Sequence, residues 1–298
     1  MKKTDIINYS RRIHHIIFSF LLISLMMLLA VLLAWLLFGN YGIIFLLIIG
    51  IALIILHPAI SYKLHLRLRG ARKISYFNAP AMYTLFINLV RQAELSTLPS
   101  LYYIPEKTLN AFSIGNKKNT SIIITSALIN YLTLPELEGV IAHEISHIKN
   151  NDMWHLGLAH TVYLITSWLS WLGIIFLIFH IPFLFTGGGN SLWLPATIIF
   201  TGPLLNKFLL STLSRTREYE ADIGSVQLTN DKYSFISALK KLGLQPVRLF
   251  GIFYIPTSGE YNLSIFRTHP GIRQRIHRLK KLHDNTPAKQ PGILDYIG

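Results

Sequence analysis

Residues 134–152 read L-P-E-L-E-G-V-I-A-H-E-I-S-H-I-K-N-N-D, and the rest of the chain is organised around them. Thr133 precedes the stretch as an N-cap residue, and Glu136 three positions on closes a capping box. Pro135 falls in the first turn, where its missing N–H costs nothing. The spacing therefore predicts a helix. On it His143 and His147 stand four residues apart, so both imidazoles leave one face and can grip a single ion. Glu144 is offset from His143 by about 100° around the axis, within reach of a water at that ion without ligating it. Val140, Ile141, Ile145 and Ile148 supply apolar flanks that would bury the site. H-E-x-x-H is the arrangement of zinc metalloproteases, with Glu144 as the expected general base.

Two histidines do not complete a catalytic zinc site; a third protein ligand is needed, with one position left open. Ser214–Asp222, S-R-T-R-E-Y-E-A-D, offers the acidic candidates. Glu218 and Asp222 lie one helical turn apart, so Glu218 can ligate while Asp222 orients a histidine through its other ring nitrogen. Glu220 points off that face and is expected to be solvated. Asp152 and His155 compete with Glu218 as third ligand, but both lie at or beyond the expected end of the helix.

The composition is that of a membrane protein. Hydrophobic residues make up 51% of 298 and charged residues only 14%, against about a quarter in soluble domains. With no cysteine, disulfides, thiolate zinc sites and a cysteine nucleophile are excluded. The net charge of +14 raises nucleic acid as a partner. Its placement beside apolar spans, with no aromatics interleaved along a basic stripe, argues against that.

Residues 1–15 are short and basic, and Ile16–Phe38 is an apolar run long enough to cross a bilayer. No small-residue cleavage site follows Phe38, so a signal peptide is not expected. Gly39–Gly42 is an uncharged turn and Tyr41–Leu56 a second apolar run, and together they make a hairpin (residues 1–73 with its flanks). Lys63, Arg67, Arg69, Arg72 and Lys73 follow directly. Both ends of the hairpin are basic, which places the N-terminus and the following segment in the cytosol.

Residues 74–155 form the first part of the catalytic domain. Ala81–Leu95 has the spacing of an amphipathic helix, and Leu101–Ile104, Ala111–Ile114 and Ser121–Thr125 read as strands. Gly115–Asn119 is the turn between the last two. The edge near Asn110, Ala111 and Phe112 can pair with an extended substrate by main-chain hydrogen bonds, or the hairpin is purely structural. Residues 156–213 are a second membrane hairpin. Leu156–Phe185 ends near Gly187–Asn190, and Leu192–Leu213 returns, interrupted at Gly202-Pro203 and Asn206-Lys207. His160 and His180 in the third run are read as packing or interface residues. Residues 214–298 complete the catalytic domain. The fold expected is mainly α with a small β-sheet: a polytopic protein of about four transmembrane helices carrying a cytosolic zincin-like domain.

At these residues the chain resembles the HtpX family of membrane zinc endopeptidases, relatives of the CAAX prenyl protease. The likeness runs through N-A-F-S-I-G at Asn110–Gly115, L-E-G-V-I-A-H-E-I-S-H-I at Leu137–Ile148 and S-R-T-R-E-Y-E-A-D at Ser214–Asp222. It continues in T-H-P-G-I-R-Q-R-I at Thr268–Ile276. The resemblance implies one zinc ion per chain held by His143, His147 and Glu218, with Glu144 as general base. It implies cytosolic cleavage of membrane or misfolded proteins at a bacterial inner membrane, and a substrate-pairing strand at Asn110–Phe112. By the same likeness His269 and Arg275 are placed near the site, steadying the oxyanion or the Glu218 carboxylate. The alternative there is a capped helix, Pro270–His283, with a solvated basic face. A transporter and a non-catalytic zinc-binding scaffold are the competing classes. The first lacks ionisable groups paired across its spans, and the second lacks the closed, usually cysteine-rich ligand set.

Overall fold

The computed structural model describes residues 3–60, 66–67, 69–115, 119–184, 193–243, 247–249, 253–255 and 270–282. Its contacts divide the chain into two compact units. The first comprises Met1–Ile60, Trp154–Arg215 and Ile265–His269; the second comprises Ser61–Met153, Thr216–Ser264 and Pro270–Gly298.

Long helices build the first unit. Helix α1 runs over Lys3–Ile60 and is broken at Gly39, whose φ of 59° and ψ of −143° leave the helical region. Gly42 follows the break, and a Cβ there would fall 2.0 Å from the carbonyl oxygen of Ala34. The two arms meet where only hydrogen fits, so the uncharged turn read at 39–42 is the turn observed. Helix α5 spans Asp152–Leu184 and α6 spans Trp193–Thr229. By length and composition, Ile16–Ala52, Asp152–Phe179 and Pro195–Thr229 can each cross a membrane, the first containing both arms of α1. Leu22, Ile23, Met26 and Ala30 pack against Ala159, Val162, Leu209, Leu210 and Leu213. The outward residues are equally apolar, Phe18, Leu21, Leu28, Trp168 and Phe179 among them, as lipid requires.

Gly202-Pro203 and Asn206-Lys207 predict an interrupted fourth segment that ends at Leu213. The helix instead runs unbroken past Pro203 and on to Thr229. Asn206 is fully buried, and its side-chain amide donates to Thr166 Oγ1 at 2.6 Å and to the Met26 carbonyl at 3.4 Å. A polar residue that looked like a break is therefore a contact between helices, of a kind contributing about 0.6 kcal/mol in lipid.

The second unit sets helices on a four-stranded sheet. Strands β1 (Arg72–Lys73), β2 (Ser100–Ile104), β3 (Ala111–Gly115) and β4 (Thr120–Thr125) lie in the order β1-β2-β4-β3. β2 and β4 are parallel, and the other pairs are antiparallel. β4 is buried at every residue, and β3 occupies an edge. Helix α2 covers Pro80–Gln92, shorter than expected because Glu94, with φ of 54°, turns the chain away. A short α3 (Ser126–Tyr131) is capped by the Thr125 hydroxyl, which accepts from Leu128 N. Helices α4 (Leu134–Lys149), α7 (Lys232–Gly243) and α8 (Ile272–Lys280) complete the unit with the small hairpin β5–β6 (Val247–Leu249, Phe253–Ile255). Phe86, Leu89, Leu101, Ile122, Ile124, Leu128 and Ile141 form its core, each worth about 1.5–3 kcal/mol of burial.

The start of α4 is fixed as the sequence foretold. Thr133 N donates to Glu136 Oε2 at 2.8 Å, and the reciprocal half of the capping box is present. Glu136 also accepts from Ser237 Oγ at 2.7 Å and Lys241 Nζ at 2.6 Å, tying α4 to α7. Burial alone would raise its pKa, but Lys241, Ser237 and the Thr133 amide together hold it at about 2. Against α6 the same helix packs through small residues. A Cβ on Gly224 would lie 2.4 Å from Ser146 Oγ, and Ser225 Oγ donates to the Gly139 carbonyl at 2.7 Å.

Candidate metal centre

Helix α4 turns His143, Glu144 and His147 into the interior of the second unit, where they are 7%, 7% and 9% exposed. Val140, Ile141 and Ile145 are buried around them and Ile148 partly so, as the apolar flanks predicted. Helix α6 brings Glu218, 6% exposed, to the same place. One ligand atom from each of His143, His147 and Glu218 lies within 4.8 Å of the others. The two Nε2 atoms face each other at 3.1 Å, and the carboxylate oxygens stand 3.5 Å from His143 Nε2 and 3.8 Å from His147 Nε2.

Behind the rings each Nδ1 meets an aspartate. His143 Nδ1 is 3.1 Å from Asp222 Oδ1, and His147 Nδ1 is 2.8 Å from Asp152 Oδ2. A carboxylate only accepts, so the proton of each neutral ring sits on Nδ1 and the Nε2 lone pair faces the pocket. Each aspartate in turn meets an arginine. Arg275 on α8 donates through Nε to Asp222 Oδ2 at 2.9 Å and through Nη2 to Asp222 Oδ1, while Nη1 reaches Glu218 Oε2 at 3.3 Å. Arg217 Nη1 is 3.1 Å from Asp152 Oδ1.

The electrostatics favour positive charge at the centre. Burial opposes protonation of His143, as does Arg275, yet Asp222 and Glu218 lift its pKa to about 9. Burial likewise works against the Arg275 charge, but Asp222, Glu218 and Glu144 raise its pKa above the ordinary arginine value. Glu144, Asp152, Glu218 and Asp222 bring four carboxylates against the guanidiniums of Arg217 and Arg275, all of them buried or nearly so. With both imidazoles neutral, as ligation requires, the formal excess is two negative charges, which a divalent cation neutralises. Two imidazole nitrogens and one carboxylate, a set of three protein ligands, suit catalytic zinc. The residues present fit the ion.

Most of the expected site residues come together here, and some do not. Asp222 stands behind His143, and Arg275 grips both Asp222 and Glu218. Asp152, weighed as a rival ligand, lies outside the trio and contacts the far nitrogen of His147 instead. His155, the other rival, belongs to the first unit, with its ring 6.1 Å from Phe20 and 5.3 Å from Trp154. Glu220 is half-buried rather than solvated. His160 packs 6.2 Å from the Tyr163 ring. His269, the turn at Gly187–Asn190, the middle of the Gly115–Asn119 turn and the side chain of His180 lie outside the described residues. Arg217 was not foreseen; the signal was its place directly before Glu218, but spacing alone does not reveal its partner.

In sequence the chain is similar to known proteins over most of its length. The family model described as peptidase family M48 matches residues 80–283, well over half of the chain. A protein named Protease HtpX homolog from Nostoc punctiforme is 30% identical over 281 residues, covering 86% of this chain and 91% of its own length. The protein of the same name from Streptococcus uberis is 31% identical over 274 residues, covering 82% and 87%. Among solved structures, S. mikatae Ste24p matches with a TM-score of 0.48 and 18% identity, covering 93% of this chain. The chain spans 66% of that protein's length, just short of two thirds.

Proposed function

The chain belongs to peptidase family M48, a multi-pass membrane metalloprotease, and from that premise we propose that it is a zinc endopeptidase cleaving membrane or misfolded polypeptides on the cytosolic side of a bacterial inner membrane. His143, His147 and Glu218 are the metal ligands and Glu144 the general base. The observation that carries this reading is the convergence of three buried ligand atoms within 4.8 Å, drawn from two helices separated in sequence by a membrane-length excursion. The basic flanks of the first hairpin support the cytosolic side, since Lys and Arg are retained there.

When bound, the ion supplies Lewis-acid polarisation of the scissile carbonyl and acidifies water at the site. The chain's own groups do the rest. Asp222 holds the His143 ring in the tautomer that leaves Nε2 free, and Arg275 fixes the Glu218 carboxylate. Glu144 takes the proton of the attacking water and hands it to the leaving amine nitrogen. An extended substrate pairs along β3. Asn110 is turned inward, its N–H donating to Thr125 Oγ1 and its carbonyl accepting from Thr125 N, both at 3.0 Å. By the alternation of an antiparallel ladder, the main-chain groups of Ala111 and Ser113 then face the free edge. Phe112 packs on the sheet with Ile104 and Ile123.

The test is made on protein purified in detergent. Glu144→Gln should keep one zinc per chain and lose casein cleavage by about 10²-fold or more, whereas His143→Ala should lose the metal itself. Undiminished cleavage by Glu144→Gln would remove the assigned base.

A further inference from the structure

Asp152 is 1% exposed and Arg217 is 3% exposed, so their ion pair lies within the second unit, out of water. Burying two charges costs several kcal/mol per ion, recovered only where geometry and further hydrogen bonds are good. A pair in that position calls for a role. Its geometry supplies one, because the second oxygen of Asp152 lies 2.8 Å from His147 Nδ1 while the first lies 3.1 Å from Arg217 Nη1. The chain Arg217–Asp152–His147 thus ends on a proposed ligand nitrogen. The Arg275–Asp222–His143 chain does the same on the other side.

We propose that Asp152 and Arg217 are positioning residues for the metal: Asp152 holds the His147 tautomer and ring angle, and Arg217 holds Asp152. This rests on the assignment of His147 as a ligand. Arg217 also immediately precedes Glu218 on α6, while Asp152 follows the end of α4 by three residues. One ion pair therefore joins the two stretches of chain that carry all three ligands. Its loss loosens His147 directly and the α6 segment bearing Glu218 with it.

The experiment measures zinc affinity by competition with a chromophoric chelator, together with the melting temperature, on the full chain in detergent. Asp152→Asn is nearly isosteric, yet it removes the charge that fixes the ring and the carboxylate that pairs with Arg217. It should weaken zinc binding about 10–100-fold and lower the melting temperature. The double variant Asp152→Asn with Arg217→Gln removes both charges of the pair. It should recover most of the melting temperature while zinc binding stays weakened at least tenfold. A pair that served only as a packing brace would recover both, and that result, or wild-type zinc affinity in Asp152→Asn, overturns the proposal. His147→Ala separates the two levels of inference. It should bind no zinc, and full zinc occupancy in that variant would overturn the ligand assignment instead.

Discussion

Arg275 touches two buried carboxylates at once, Asp222 through a two-pronged contact and Glu218 at 3.3 Å. A planar guanidinium can span them; a lysine ammonium is a point charge and cannot. Arg275→Ala leaves both acids without that partner in a buried site, so it should cost about 3–5 kcal/mol of stability in the metal-free protein, read from thermal or denaturant melts. Arg275→Lys should recover only part of it. At this scale the proposed ligands were legible in the sequence because each announces itself locally. His143 and His147 share a face by spacing alone, and Glu218 sits in an acidic turn with Asp222 behind it. What was hidden is the choice of partners. Asp152 is five residues from His147 and reads equally well as ligand or support. Only the arrival of Arg217, sixty-five residues later, decides which.

Between elements, the contact that positions the centre is the one between α4 and α6. Gly224 lies against Ser146 with no room for a Cβ, and Ser225 bonds the Gly139 carbonyl one turn before the first histidine. Those small residues let the helix carrying Glu218 come close to the helix carrying the histidines. Gly224→Ala would force them apart, at about 1–3 kcal/mol for overpacking, and should lower zinc affinity more than it lowers stability elsewhere in the unit. Chelator competition beside a melting curve checks this. Strands β2, β3 and β4, the capping box and the helical character of each apolar run could be read in advance, since turn residues and periodicity are properties of neighbours in sequence; β1, β5 and β6, two or three residues each, could not. The unbroken course of α6 could not. Gly202, Pro203 and Asn206 carry the local signature of an interruption, and it is Thr166 and the Met26 carbonyl, on other helices, that accept from the asparagine's side-chain N–H groups.

The chain carries three membrane-length helices, and the centre of its second unit carries an excess of negative charge. The metal therefore stabilises the folded state as well as serving the chemistry. Free zinc at a hundredfold excess over its dissociation constant should add about 2.7 kcal/mol, and a strong chelator should take the same amount away, visible as a lower melting temperature in detergent. In His143→Ala the chelator should change nothing. The strand β3 has a different kind of consequence, because it lies at one edge of its sheet, beside the helix that carries the histidines. A ladder of amides and carbonyls is the same whatever letters a guest polypeptide spells. On the mechanism proposed above, such a berth selects for slackness: a chain limp enough to lie flat is admitted, while a tightly knitted globule passes by uncut.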